Sequence, residues 1–184
     1  AELDVKYKPF RWLELTGMFS WGDWTWGSNA KGYFFSEQGQ PVTKDGVVTT
    51  LQSDDHAWAY INMDGVRVGG SAQTTAAVGA NVNISRDLRV GIDWTYYGRN
   101  YSYYAVDGSL LSMNKENKLD EPWEIPAASQ IDLNASYKFK LGSLNAMLSG
   151  NVNNLLNYQY ITKAWNPTGK VADESNIYCF FNHG

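Results

Sequence analysis

The chain alternates apolar and polar residues with a period of two in six separate runs. The earliest is Leu3, Val5, Tyr7, spaced by Asp4, Lys6 and Lys8. The second puts Leu13, Leu15, Gly17, Phe19 and Trp21 on one face and Glu14, Thr16, Met18 and Ser20 on the other. A third carries Ala76, Val78, Ala80, Val82 and Ile84, and a fourth Leu88, Val90, Ile92, Trp94 and Tyr96. The fifth is Ile131, Leu133, Ala135, Tyr137, Phe139; the sixth is Leu144, Ala146, Leu148, Gly150, Val152. A period of two with one apolar face predicts β-strands that are apolar on one side only. The runs set the expected strands at about 2–8, 11–22, 72–85, 88–98, 129–140 and 143–154, several of them longer than the usual five or six residues.

Connections alternate between short and long. Pro9-Phe10-Arg11, Ser85-Arg86-Asp87 and Leu141-Gly142-Ser143 predict tight turns. The stretches at about 23–71, 99–128 and 158–184 predict long loops, the last a loop-like tail. Short β-like pieces near Val47–Leu51 and Trp58–Met63 are expected to extend neighbouring strands as hairpins. In an antiparallel up-and-down meander this order puts every short turn at one end and every long loop at the other.

The aromatic residues of the apolar faces are also sorted. Tyr7, Tyr137 and Phe139 fall beside the short turns, whereas Phe19, Trp21, Trp94 and Tyr96 fall at the long-loop ends. Leu, Val, Ile, Ala and Gly lie between them. Aromatic girdles flanking an aliphatic band mark a surface that crosses a bilayer, since Trp and Tyr favour the headgroup region. A core buried between two sheets has no reason for such sorting. The opposite faces carry Glu14, Thr16, Asn81, Asn83, Arg89, Asp93, Asp132, Asn134, Lys138, Asn151 and Asn153, which suit a wet interior. The expected fold is therefore all-β, an open segment of a transmembrane β-barrel. Six strands fall short of closing such a barrel, so the chain is expected to be a fragment.

Composition narrows the chemistry. With 8 Trp, 12 Tyr, 17 Gly and a net charge of -4, the chain has no basic footprint for nucleic acid. A single Cys, Cys179, excludes an internal disulfide and a cysteine-rich metal site. Asp54, Asp55 and Asp64 lack the spacing of a calcium loop, and His56 and His183 have no catalytic partners in sequence. No nucleophile elbow, zinc-protease or nucleotide-binding motif occurs. No enzyme activity, cofactor or metal is expected. The loop aromatics Trp24, Trp26, Tyr33, Phe34, Trp58, Tyr101, Tyr103 and Tyr104 are candidates to line a ligand entrance, because aromatic faces stack on sugars and flat chelates; packing of loop on loop is the competing use.

The stretch NVNNLLNYQYI, Asn151 to Ile161, resembles the motif of the penultimate strand of TonB-dependent outer-membrane receptors. It contributes Asn151, Asn153, Asn154, Leu155, Leu156, Asn157 and Tyr160 to that motif. PWEIPAASQIDLNASYKF, Pro122 to Phe139, and GVRVGGSAQTTAAVGANV, Gly65 to Val82, are similar to the same family as found in Bacteroidetes-type bacteria. The resemblance implies a 22-stranded barrel around a plug domain. It implies residence in the bacterial outer membrane and active uptake of a scarce nutrient such as a siderophore, vitamin or glycan. Implied partners are outer-membrane lipid, the TonB energy-transducing complex acting through the plug, a small-molecule or glycan substrate, and a surface lipoprotein. On this resemblance the plug and the closing strand lie outside the sequence, and the strand at 143–154 is expected to keep an open outer edge unless the tail folds back over it. Two alternatives remain at this level: a soluble Trp- and Tyr-rich β-sandwich that binds carbohydrate, and an outer-membrane barrel of another family.

Overall fold

The structure, a computed structural model, describes residues 1–43, 45–104, 119–166 and 177–182. No helix occurs among them. The six alternating runs form long strands: β1 (Glu2–Phe10), β2 (Leu13–Trp21), β5 (Ala72–Asn83), β6 (Leu88–Tyr101), β9 (Ala128–Leu141) and β10 (Leu144–Val152). They pair in the order β1-β2-β5-β6-β9-β10, each antiparallel to the next, as the meander expected from sequence. Between them lie β3 (Ala30–Tyr33), β4 (Trp58–Ile61), β7 (Tyr103–Tyr104) and β8 (Glu124–Ile125), and beyond them β11 (Ile161–Asn166) and β12 (Tyr178–Phe181).

The register fixes one face for every residue. Leu3 lies opposite Phe19, Phe19 opposite Ala76, Ala76 opposite Tyr96; two residues nearer the short turns Val5, Gly17, Val78 and Trp94 again face one another. The result is one apolar surface over six strands, and it is uncovered. Val78 is 56% exposed, Ile92 46% and Leu148 68%. The apolar residues that are buried, Ala57, Val66, Tyr101, Ile125, Ala128 and Ala164, sit at the long-loop end. Apart from Arg99, whose guanidinium lies 5.4 Å from the Trp21 ring, the charged residues of the six strands fall on the opposite face of the alternation.

That polar face is knitted by side chains. Lys6, Lys8 and Arg89 converge on Glu14 at 3.1, 2.7 and 3.6 Å. Asn134 Nδ2 donates to Asp93 Oδ2 at 3.1 Å, and Gln130 Nε2 to Asp132 Oδ1 at 2.7 Å. Gly91 makes room for this: a Cβ there would stand 2.6 Å from both the Asn81 and Asn134 amides.

The pairing is staggered. The hydrogen-bonded row that closes the first hairpin at Leu13 runs through Val82, Val90 and Ala135 to Gly150, six residues past Leu144, where the last hairpin closes. The turns account for local geometry. Gly142 has a φ of 63° in the two-residue Gly142-Ser143 turn, the conformation that a II′ hairpin requires of its first central residue. Ser85 Oγ accepts from the Asp87 and Leu88 amides at 3.1 and 3.0 Å.

Four expectations need correction. The first turn is not at Pro9: β1 continues through it, with a register shift between Tyr7 and Phe10. A bulge on an edge strand is where a residue without an N–H is tolerated. Within the first long loop, β4 pairs with β3 in a separate two-stranded sheet instead of prolonging a long strand, and Val47–Leu51 contributes only an isolated bridge from Val48 to Val42. Within the second, β8 pairs with the end of β6, Asn100 to Ile125 and Tyr101 to Glu124. The tail is no plain loop, since β12 pairs with β11, and β11 runs parallel to β7. This small sheet does not pair with β10, so β10, like β1, is an edge of the long sheet among the described residues.

Candidate functional site

Four anchors tie the loops to the long-loop end. Gln73, 1% exposed, accepts the Trp24 amide on Oε1 at 3.0 Å and donates from Nε2 to the Trp24 and Val68 carbonyls at 3.0 and 3.3 Å. Trp26 N donates to Val66 O and Gly65 N to Trp26 O, so both ends of the first loop leave the sheet as one paired stalk. Asp23 then bridges two guanidiniums, Arg67 at 2.9 Å and Arg99 at 2.6 Å. The hydrogen bond from Arg67, then that from Arg99, holds the Asp23 carboxyl below its usual range, and Asp23 in turn raises Arg67. Ser102, fully buried, exchanges bonds with Trp123: its N donates to the Trp123 carbonyl and its Oγ accepts the Trp123 amide.

The asparagines of the NVNNLLNYQYI stretch have structural work. Asn154 and Asn157 have φ of 51° and 50°, the left-handed region that Asn tolerates better than most residues. Asn154 Oδ1 accepts the Tyr158 amide and its Nδ2 donates to the Tyr158 carbonyl, both at 3.0 Å. Its own amide donates to Asp132 Oδ1 at 2.7 Å, and Leu155 N donates to Ile131 O. Asn151 Nδ2 donates to Asn153 Oδ1. Asn182 closes the arrangement from the tail, accepting from Tyr160 N at 2.8 Å and donating to Tyr158 O at 3.1 Å. Leu156 stays exposed.

This fold-back swings Tyr160 over the polar face, where its hydroxyl donates to Gln130 Oε1 at 3.0 Å. Beneath it opens a cavity of about 280 Å³, lined in part by Tyr97, Asn100, Ile125, Tyr160 and Thr162. Burial, then the nearby Tyr97 and Asp132, raises the Tyr160 phenol above its ordinary value, so at neutral pH it is a neutral donor. The cavity offers two phenol rings and several hydroxyl and carbonyl groups, chemistry for holding a small polyhydroxylated or aromatic molecule. Tyr97 and Asn100 were not among the residues expected from sequence. The signal for Tyr97 was available: it is an aromatic residue of β6 that falls on the polar side of the alternation.

The expected loop aromatics do not gather into one entrance. Tyr33 and Trp58 meet across β3 and β4, with Lys31 Nζ 5.1 Å from each ring. Phe34 continues that pairing through its amide to Ala57 O. Trp24 and Trp26 are exposed on the stalk. Tyr101 is turned inward, 6% exposed, with the Arg67 guanidinium 5.2 Å from its ring. Tyr103 lies beside Trp165 in the parallel pair, under Lys163 at 4.7 Å, and Tyr104 closes that pair with Asn166. The apolar-face aromatics stack in pairs along their strands, Trp94 with Tyr96 at 6.2 Å and Tyr137 with Phe139 at 6.0 Å, while Tyr7, Phe19 and Trp21 stand exposed.

A second cavity, of about 620 Å³, is lined in part by Asp45, Asp54, Asp55, His56 and Trp58. Asp55 accepts from Ser53 and Thr49, and the Ser53 bond depresses its carboxyl. His56 Nδ1 faces the Ser53 carbonyl. Asp64 lies elsewhere, its amide bound by Asn29. Among the described residues no group of three or more His, Cys, Asp or Glu is placed to hold a metal ion. Cys179 is half-buried, which pushes its thiol up; His183 lies outside the described residues. Comparison of the chain with protein-family models, curated proteins and solved structures finds no match.

Proposed function

We propose that this chain is part of the wall of an outer-membrane β-barrel, with β1, β2, β5, β6, β9 and β10 crossing the bilayer and the connected loops forming an outward surface for a ligand. One observation carries this reading: a continuous six-stranded sheet has no second sheet over its apolar face while the strand charges other than Arg99 lie on the other face. Soluble monomers rarely expose apolar patches beyond a few hundred Å². A sandwich would need a second sheet over Val78, Ile92 and Leu133, and among the described residues none packs there.

The stagger supports the same reading quantitatively. Six residues at about 3.3 Å rise are about 20 Å; the four strand spacings between the first and last short turns, at about 4.8 Å each, are about 19 Å. If the short turns share one plane, the strands tilt about 45° from its normal, the inclination of strands in membrane barrels. At that tilt the nine residues of β2 reach about 21 Å, close to the height of a barrel's apolar band.

The narrower reading is a TonB-dependent receptor that takes up a scarce nutrient. It rests on the resemblance of Asn151–Ile161, Pro122–Phe139 and Gly65–Val82 to that family, and the cavity under Tyr160 is a candidate ligand position. Spin labels along β6, in a Cys179→Ser background and in the assembled membrane protein, test the membrane placement. Labels at Val90, Ile92 and Trp94 should collide mainly with dissolved oxygen, and labels at Arg89, Asp93 and Thr95 with a water-soluble nickel chelate. Labels at Val90 and Ile92 that are immobile and shielded from both would reject it. For the narrower reading, cysteine crosslinking of the full polypeptide to the TonB energy-transducing protein in cells should give an adduct; an assembled barrel that gives none sinks it.

A further inference from the structure

The three long connections meet at the cavity under Tyr160. Residues 70–72 bring the end of the first loop to it, Ile125 and Pro126 the second loop, and residues 160–162 the tail, while Tyr97 and Asn100 line it from β6. Each wall is held by bonds of its own. Gly70 N donates to Tyr101 O at 2.8 Å, and Ile125 pairs with Asn100. Asn100 Nδ2 donates to Thr162 O at 3.4 Å, and Tyr160 is fixed by Gln130 and Asn182. A cavity built before its guest arrives spares the guest the cost of ordering three loops.

The lining sets the charge of that guest. None of the described lining residues is charged. The cations next to them in the chain are engaged elsewhere, Arg99 with Asp23 and Lys163 over the Tyr103 ring. The Asp132 carboxylate, felt at the Tyr160 phenol, already accepts from Gln130 and from the Asn154 amide. An anionic guest, such as a metal chelate with ionised oxygens, would face Asp132 with no cation to offset its desolvation. A cationic guest finds no carboxylate in the described lining. The cavity offers instead the half-exposed phenol of Tyr97, apolar wall from Ile125 and Pro126, and the Asn100 carboxamide, whose Oδ1 is buried without a partner. An unpaired buried acceptor favours a guest that brings a hydrogen-bond donor. At about 280 Å³ the space lies just below the roughly 300–1,000 Å³ of pockets for drug-sized molecules, which suits one substituted ring and not a chain.

We propose that this cavity holds one neutral sugar unit, with a C–H face of the ring against Tyr97 and a hydroxyl donating to Asn100 Oδ1. The proposal rests on the reading of the chain as part of a receptor and narrows it. The ligand recognised here is an uncharged carbohydrate, and an anionic metal chelate is disfavoured at this position.

Saturation-transfer NMR on the full polypeptide, assembled in lipid nanodiscs free of sugar detergent, tests it. The probes are the methyl glycosides of glucose, galactose, mannose, xylose and N-acetylglucosamine, with those of glucuronate, galacturonate and glucosamine as charged counterparts. At least one neutral glycoside should receive saturation, and the charged forms of the same ring should not. Its affinity should weaken about tenfold in Tyr97→Ala and hold in Tyr97→Phe, as for a contact made by the ring. Ser71 is exposed on the lining, so Ser71→Trp should block the cavity, and it serves alone if Tyr97→Ala fails to assemble. The proposal is overturned by no transfer to any neutral glycoside, by equal transfer to a charged one, or by unchanged binding in either assembled variant. The spin labels on β6 and the TonB crosslink are read on the same protein. An assembled receptor that passes both and binds no sugar overturns this proposal alone. Failure of either removes the reading on which it rests, whatever the sugars give.

Discussion

Replacing Gln73 with Leu should release the first loop while leaving the sheet intact. Its side chain is buried and makes three hydrogen bonds, all to backbone of the loop stalk. Leu fills much the same volume but offers no polar atom. The Trp24 amide loses its acceptor and is orphaned next to the sheet. The Trp24 carbonyl keeps the Val68 amide at 2.9 Å, so it suffers less, and the Val68 carbonyl loses the Gln73 donor. One orphaned buried donor costs about 1–3 kcal/mol, and under-satisfied carbonyls are better tolerated. A net loss of about 2 kcal/mol corresponds to a roughly 30-fold loss of protection against amide exchange. Hydrogen–deuterium exchange followed by mass spectrometry on the assembled protein measures it. Peptides covering residues 22–28 and 64–70 should exchange about 30-fold faster, and those covering Ala135 and Gly150 should not change. Unchanged exchange at the stalk would refute the clamp, and faster exchange throughout the sheet would show that Gln73 supports the sheet itself.

Asn154→Ala should cost about 2 kcal/mol locally, from a left-handed backbone and two lost bonds to Tyr158, with Asn154→Gly in between; exchange at Leu155 and Tyr158 reads it. Gly69→Ala should destabilise far more than Gly79→Ala in thermal melts. A Cβ at Gly69 meets the fixed Ser102 carbonyl, whereas at Gly79 it meets side-chain oxygens of Asp93 and Thr16 that can move. The Asp23 carboxyl is depressed, so its contribution is fully present above the ordinary value of 3.8 and lost as pH falls through the lower folded value. The melting-temperature gap between wild type and Asp23→Asn should therefore be complete at pH 5 and close only in stronger acid; a gap that closes above pH 5 contradicts the ion pairs. If the bilayer covers the apolar face, Ile92→Lys should destabilise the assembled protein by about 2–4 kcal/mol and Asp93→Lys by much less, measured by denaturant unfolding in vesicles.

The long strands were legible because alternation is a local signal, and because all six obey one rule about which face is apolar. Pro9 misled the reading of β1, since a proline ends most strands but can persist at a bulge on an edge. The short strands were not legible. β3 and β4 are four residues each, too short for alternation to show, and they find each other across 24 intervening residues. β11 and β12 pair across 11 intervening residues in a tail that reads as loop. The loop aromatics were visible as a composition but not as an arrangement, because Tyr101 is buried by β8 and the stalk, neither of which is evident locally. The asparagines of the Asn151–Ile161 stretch marked a strand exit correctly, yet their partners Asp132, Tyr158 and Asn182 are scattered along the chain, so their work as clamps appeared only in three dimensions.

The strict alternation of short and long connections also sets an order of events. β1 and β2, like β9 and β10, are separated by two residues, whereas 50 residues separate β2 from β5 and 26 separate β6 from β9. Loop-closure entropy grows as about 1.5RT ln n, so joining neighbouring hairpins costs about 2–3 kcal/mol more than forming each one. The chain should collapse first into three independent hairpins and only then zip them side by side. A hairpin carries its own apolar face and its own turn from the outset. If the apolar face lies in a bilayer, the hairpin is therefore the natural unit to be handed, one at a time, to the machinery that inserts it.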